Sequence, residues 1–371
     1  MTSLKKTVVV GMSGGVDSSV TALLLKQQGY QVIGMFMKNW EEKDEEGVCK
    51  ASKEFEDVVR VCEQIGIPYY SVNFVKEYWD NVFSEFLHEF KMGHTPNPDI
   101  LCNREIKFKV LLDKALQFGA DFLATGHYCN TDGNALLKAA DLSKDQSYFL
   151  YTLKKEILQK VLFPIGHLKK SEVRAIAREH GLATSHKKDS TGICFIGKRN
   201  FKQFLSGYLG AIPGDFKTLS GKVMGKHDGV SYYTIGQRKG MGIGGAGDAW
   251  FVVGKDVEKN VVYIEQGSMH PALYVDSLIA SNLSFVSDFD KALPFSCRSK
   301  IRYRQEDQPC RIEKIENSKC LVTFEIPQRA ATLRQSIVFY EGDTCLGGGI
   351  IESIGQTYHE RDLALPEAVS L

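Results

Sequence analysis

Residues 7–19 read Thr-Val-Val-Val-Gly-Met-Ser-Gly-Gly-Val-Asp-Ser-Ser, a β-branched run that stops at a Gly/Ser loop and leads into the apolar-periodic stretch Val20 to Gln28. A strand, a small-residue loop and a helix start in that order make an anion cradle. Gly14 and Gly15 can take positive φ and bring main-chain N–H groups close to a charge, while Ser13, Ser18 and Ser19 add hydroxyls where the helix dipole is positive. A nucleotide phosphate is the expected ligand. The loop lacks the Lys-Ser/Thr ending of a Walker A motif and is no Gly-x-Gly-x-x-Gly, which weakens kinase and dehydrogenase readings. Asp17 places a hard carboxylate at the helix start, suited to Mg²⁺ on a bound phosphate or to the helix dipole alone.

Two cysteines stand in readable surroundings. Cys102 follows a loop stiffened by Pro96 and Pro98 and precedes an expected helix; a helix N-terminus flanked by Arg104 and Lys107 would lower its thiol pKa. Cys194 lies between the β-formers Ile193 and Phe195 and on its own reads as a buried strand thiol. The chain holds nine cysteines, an odd number, with no Cys-x-x-Cys pair. A disulfide scaffold, a structural metal and an iron–sulfur cluster are therefore not expected, and the cysteines should start as thiols.

The elements that must position these groups follow from hydrophobic period. Strands near 7–10, 31–37, 69–72 and 121–126 alternate with helices near 18–28, 51–65, 75–91 and 106–118, a parallel α/β pattern of the doubly wound kind. Gly29, Gly66 and Gly119 fall where left-handed helix caps are wanted. Ligands of such sheets sit beyond the carboxyl ends of the strands, so Met37, Gly126 and His127 join Gly11, Met12, Ser13, Gly14, Gly15, Val16, Asp17 and Ser18 as candidate site residues. From about 206 the texture turns to Gly-rich turns and short β runs, and beyond about 273 to alternating segments that suggest a small barrel. The expected division is 1–205, 206–272 and 273–371. Forty-six basic against 45 acidic residues leave +1, so a nucleic-acid partner would be met by local patches. Arg298, Lys300, Arg302 and Arg304 alternate with Tyr303 among them, either an RNA-backbone clamp or a charged edge strand. No export signal or membrane span is evident, which points to a cytoplasmic enzyme without a membrane partner.

Ser-Gly-Gly-Val-Asp-Ser resembles the loop of the N-type ATP pyrophosphatases, which cleave ATP between the α and β phosphates. Along nearly its full length the chain is similar to the bacterial tRNA-specific 2-thiouridylases. The likeness rests on residues 11–19, Met-Lys-Asn-Trp at 37–40, the two cysteine segments, Ala-Thr-Gly-His-Tyr at 124–128, Lys-Asp-Gln-Ser-Tyr-Phe-Leu at 144–150, Gly236 to Gly240, Arg302-Tyr303-Arg304 and Cys345-Leu-Gly-Gly-Gly. The resemblance implies an adenine nucleotide alpha-hydrolase-like sheet, a small central domain and a tRNA-binding C-terminal β-barrel. It implies that ATP with Mg²⁺ adenylates the 2-oxygen of the wobble uridine, giving 2-thiouridine, AMP and pyrophosphate. Cys194 would carry sulfur as a persulfide, and Cys102 would either attack it, closing a disulfide as sulfur reaches the carbon, or resolve the adduct after direct persulfide attack.

By the same likeness Asn97, Pro98 and Asp99 meet the target base, with Asp99 a candidate acid/base or a turn-former. Lys144, Asp145 and Gln146 contact the anticodon region, against the plainer reading of a solvated turn. His127, Arg302, Tyr303 and Gln335 are further tRNA contacts. The chain departs from the family pattern at Leu333-Arg334, where relatives carry Pro-Gly, and at Lys138-Ala139-Ala140-Asp141. Implied partners are the tRNAs for Lys, Glu and Gln and a persulfide donor such as a cysteine desulfurase or sulfur-relay protein, the enzyme itself being a monomer. Two other readings are a different ligase or amidotransferase with this loop, which needs no thiol pair, and an idle tRNA-binding protein, which needs neither thiols nor Asp17.

Overall fold

The computed structural model describes residues 5–41, 50–188 and 201–369, apart from the side chains of Lys50 and Phe201. Strands β1 (Thr7–Met12), β2 (Gln31–Lys38), β3 (Tyr69–Asn73), β4 (Phe122–Ala124) and β7 (Val161–Leu162) form a parallel sheet in the order β3-β2-β1-β4-β7. Val8, Val9 and Val10 are fully buried, because helices cover both faces and a central parallel strand must then be apolar throughout. Helix α1 (Val16–Gln27) and helix α2 (Lys50–Ile65) follow the first two strands. The three glycines expected at helix ends all take positive φ, 89° at Gly29, 71° at Gly66 and 78° at Gly119.

The helix expected over 106–118 starts earlier. Helical backbone runs from Pro98–Leu101 through Cys102–Leu111 to Leu112–Gln117, with wide i→i+5 turns in the middle stretch. Asn97 starts it, its side-chain oxygen accepting from the Asp99 N–H at 3.2 Å, and Pro98 takes the first position, where a missing N–H costs nothing. Cys102 thus lies one turn inside the helix, not ahead of it.

Two further sheets follow. Strands β8 (Gly214–Lys217), β9 (Val223–His227), β10 (Trp250–Asp256) and β11 (Val261–Gln266) make a four-stranded sheet. Strands β12 (Tyr274–Phe285), β13 (Phe295–Lys300), β14 (Gln308–Glu316), β15 (Lys319–Arg329), β16 (Ser336–Glu341) and β17 (Thr344–Ile354) close into an antiparallel barrel through β12–β17 pairing. Closure leaves β13 flanked by β14 and β16, so it is no edge strand. The expected basic stripe also breaks: β13 ends at Lys300, and Arg304 turns at φ 66°. With β13 paired on both sides, the edge-strand reading of 298–304 does not hold.

The barrel is welded to the first sheet. A hairpin from the N-terminal half, β5 (Asn130–Thr131) and β6 (Leu136–Leu137), adds to β17, with Thr344 opposite Leu137. Val338, Tyr340 and Cys345 of the barrel share one hydrophobic core with Val9, Ile106, Leu123, Tyr148 and Tyr151. Among the described residues no helix is long and apolar enough to cross a membrane.

A charge network seals this joint. Asp145, 3 % exposed, accepts from the N–H groups of Ala139 and Ser147 and from the Ser147 hydroxyl, and lies 3.8 Å from Lys300 Nζ. Asp307 completes it, 3.5 Å from Lys300 and hydrogen-bonded by Lys138. In the tRNA-free chain the Asp145 carboxylate is turned inward, toward two backbone N–H groups, the Ser147 hydroxyl and a buried lysine. Asp145→Ala leaves the Ala139 and Ser147 N–H groups without this acceptor and Lys300 with Asp307 alone, and should lower stability by about 3 kcal/mol. Chemical denaturation followed by circular dichroism checks this; an unchanged midpoint would contradict the assignment.

Candidate nucleotide and thiol site

The carboxyl ends of β1 and β4 build the first half of the site. Gly15 starts α1 with no side chain capping the helix, which leaves its first N–H groups available to an anion. The loop is braced from within: the Ser13 N–H donates to Ser18 Oγ at 3.2 Å, and Ser19 Oγ donates to the Gly15 carbonyl at 2.8 Å. Gly14 at φ 67° lies so close to α2 that a Cβ would sit 2.6 Å from the Glu54 carbonyl oxygen. Gly126 meets the same loop from the other side, where a Cβ would fall 2.8 Å from Ser18 N and 2.9 Å from Asp17 C. Met37, next to last in β2, is partly buried against the shared core, whereas Met12 at the end of β1 is buried in a separate cluster with Phe36.

The Asp17 carboxylate is already engaged. Lys170 Nζ donates to its two oxygens at 2.7 and 2.8 Å, and the Tyr128 hydroxyl donates at 2.8 Å. Lys170 is itself 8 % exposed, and Lys187 Nζ donates to the Gly14 carbonyl at 2.8 Å and to Asp57 at 2.6 Å. Two ammonium groups therefore stand at a loop whose own sequence has none. Sequence reading missed both, since the loop and Lys170 lie 153 positions apart and only the fold joins them. Among the described residues no group of three or more His, Cys, Asp or Glu side chains could hold a metal ion. With an ammonium on both oxygens of its one carboxylate, the site as placed does not fit a protein-held Mg²⁺.

His127 links this half to the thiol. It is 8 % exposed, with Nδ1 2.8 Å from Thr125 Oγ1 and Nε2 3.4 Å from Lys107 Nζ. Lysine can only donate, so Nε2 is the acceptor and Nδ1 carries the proton. Burial first, and then the Lys107 charge, hold His127 well below its ordinary pKa, so it is neutral near pH 7.

Cys102 is 1 % exposed. Burial pushes its thiol up to about 11; Lys107 opposes the shift and Asp99 adds to it. This corrects the expected activation. A helix start lowers a thiol only when the sulfur reaches the exposed first turn, whereas this one lies inside the core, and Arg104 pairs with Glu105 at 2.7 Å instead. Beside it Asn103 donates to the Phe149 carbonyl at 3.1 Å, and its buried Oδ1 has no partner among the described residues. Tyr303 packs on Phe149 at 4.3 Å between ring centroids; burial raises its hydroxyl pKa, Arg304 opposes the rise, and Asp145 and then Asp99 add to it.

Other expected contacts face the protein. Gln146 accepts from the Tyr128 N–H at 2.9 Å. One nitrogen of Arg302 donates to the carbonyls of Ile235 and Ala330 and to Thr332 Oγ1, tying the central segment to the barrel. Gln335 donates to the Thr95 carbonyl at 2.5 Å. Lys144 is half-buried in the turn after Asp141. Cys194 lies outside the described residues.

The raised thiol gives a pH dependence. A thiol near 11 holds only ~10⁻³–10⁻⁴ of its population as thiolate at pH 7.5, so Cys102 should alkylate far more slowly than an ordinary cysteine. Peptide-resolved labelling with iodoacetamide should accelerate about tenfold per pH unit up to about pH 10. Lys107→Met should slow it further, and labelling that levels off near pH 8.5 would contradict the burial argument.

The family profile described as the tRNA methyl transferase HUP domain matches residues 6–198, the tRNA methyl transferase PRC-barrel domain matches 202–266, and the aminomethyltransferase beta-barrel domain matches 275–351. Proteins named tRNA-specific 2-thiouridylase MnmA align almost end to end. The one from Protochlamydia amoebophila is 63 % identical over 367 residues, 98 % of this chain and 97 % of the relative. That of Geobacillus thermodenitrificans is 60 % identical over 351 residues, 94 % and 95 % of the two chains, and that of Staphylococcus carnosus 58 % over 359 residues, 95 % and 97 %. With such identity over the whole of both chains, this chain belongs to the tRNA-specific 2-thiouridylase family.

Proposed function

We propose that this chain replaces the 2-oxygen of the wobble uridine of tRNA by sulfur, acting as an ATP-dependent tRNA-uridine 2-sulfurtransferase. The observation that carries the reading is the placement of a phosphate loop and a buried thiol on neighbouring elements of one site, bridged by Thr125, Gly126, His127 and Lys107. A ligase or amidotransferase with this loop has no use for Cys102, and an idle binder has no use for Lys170 on Asp17.

ATP is the first substrate. The uncapped N–H groups of α1 and the Ser13 and Ser18 hydroxyls suit its phosphates, and Gly126 leaves the space beside them that a side chain would close. Uridine O2 attacks the α-phosphorus and pyrophosphate leaves. Lys170, released from Asp17, moves toward the departing charge, which supplies the cation that the loop lacks. Mg²⁺ enters with the nucleotide as part of the substrate, and no step is assigned to an ion held by the protein alone.

The adenylated base then takes sulfur. A Cys194 persulfide donates its outer sulfur to C2, AMP leaves with the former O2, and Cys102 and Cys194 end as a disulfide that an external thiol must reduce before the next turnover. Whether persulfide attacks directly or sulfide is freed by Cys102, the same disulfide results. Neutral His127 and the Lys107 ammonium lie where Cys102 must lose its proton, and Asp99, near Cys102, is assigned to proton movement at the base. The loop 97–99 and Tyr303 form the surface offered to an extruded nucleotide, whose unstacking costs a few kcal/mol. Asn103 Oδ1 is an acceptor that such a base can satisfy. Residues 1–205 are assigned to catalysis, 206–272 to the central domain and 273–371 to tRNA binding. The acceptors are the tRNAs for Lys, Glu and Gln, sulfur comes from a persulfide-bearing donor, and the chain acts as a cytoplasmic monomer.

Incubation with ATP, Mg²⁺, sulfide and unmodified glutamate tRNA should yield AMP and 2-thiouridine together. Cys194→Ser should abolish thiouridine. Lys170→Ala should cut kcat/KM for ATP by about 10²-fold or more, with Lys170→Arg partly restoring it. AMP formation without thiouridine in the unaltered chain would overturn the assignment.

A further inference from the structure

The loop that joins the helix ending at Lys91 to the Pro98 start is held from two other sheets. Lys255 of β10 donates to the carbonyls of Gly93 and Tyr233, and Thr95 Oγ1 lies 3.3 Å from Thr234 Oγ1. From the barrel, Gln335 Nε2 donates to the Thr95 carbonyl, and Arg334 Nε lies 3.0 Å from Glu89 Oε2. The same oxygen receives His94 Nδ1 at 2.6 Å. The Glu89 side chain is only 12 % exposed, so water screens these contacts less than it screens a surface pair. Arg334 also lies in the field of Glu352, whose carboxylate Lys319 holds.

Arg334 stands at φ 68°, a backbone that favours glycine. The strain of a long side chain there is offset by a pairing that glycine cannot make. We propose that Arg334 is a positioning residue: with Glu89 and His94 it latches the 92–97 loop to the barrel and so sets where Asn97, Asp99 and Cys102 stand when tRNA is seated. Gln335 acts through the same loop, on the Thr95 carbonyl. The inference rests on the tRNA-thiolation reading for its functional consequence, and on geometry alone for the latch.

The test uses Arg334→Ala, Glu89→Gln and the double variant in the full chain, each first shown to keep the circular dichroism of the parent. Single-turnover thiolation at saturating tRNA should fall between about tenfold and a hundredfold in each single variant, because a small misplacement of reacting groups is costly, and no further in the double. Arg334→Lys should restore part of the rate. The tRNA Kd should stay within about twofold and its salt slope should not change, since no phosphate contact is lost. Unchanged rates, additive losses, or a salt slope reduced by about one, the mark of a phosphate ligand, would each overturn the proposal. Hydrogen exchange of residues 92–97 in the tRNA-free chain reads the latch without activity. It should quicken in both single variants, and equal protection would overturn the latch even where the parent makes thiouridine. A parent that makes none would overturn the thiolation reading and leave the latch to stand or fall on exchange.

Discussion

The structure depends on one shared core. The helical run from Pro98 to Gln117 is packed between the parallel sheet and the barrel, in a single hydrophobic cluster to which Ile106, Leu111, Tyr148, Tyr151, Val338 and Tyr340 all belong. Because protein interiors are close-packed, an element gripped on two sides cannot shift without disturbing both. That grip fixes Cys102 relative to the phosphate loop on one side and to the barrel on the other. It also buries the sulfur, which is why the thiol is held protonated rather than activated. The same constraint thus secures the geometry and suppresses premature chemistry at a sulfur atom.

Charge follows the same division of labour. The loop at Ser13–Gly15 contains no cation, and the fold brings Lys170 and Lys187 to it from far along the chain. Asp17 serves as the resting place of an ammonium, with Tyr128 on the other side. Across the joint, Asp145, Lys300, Asp307 and Lys138 bind the barrel to the hairpin that grows out of the N-terminal half. A chain of net charge +1 can in this way carry strong local fields without a global one.

Much of the fold was legible because period and punctuation agreed. The β-branched run at Val8–Val10, the capping glycines at 29, 66 and 119, and the alternating C-terminal segments each pointed to the element that forms. What misled was burial, which local sequence does not carry. The Arg/Lys alternation from 298 onward looks like one strand face, yet the strand ends at Lys300 and the backbone turns before Arg304. Asp145 sits in a polar stretch that reads as solvated, whereas its carboxylate folds back on Ala139 and Ser147 close by and meets Lys300 of the barrel. Cys102 has the flanking charges of an activated thiol, but which side of the helix faces the core decides its pKa. The loop and the helix start behind it were legible from the sequence; the lysines brought to it were not, because nothing near it in sequence announces them.

The account's central claim is that two thiols of this chain are consumed as sulfur is delivered. It is tested most directly by a single turnover of persulfide-loaded protein with ATP and unmodified tRNA in the absence of any reductant, followed by peptide mass analysis. One equivalent each of 2-thiouridine, AMP and pyrophosphate should appear with one Cys102–Cys194 disulfide. Thiouridine formed while Cys102 remains a free thiol would contradict the claim.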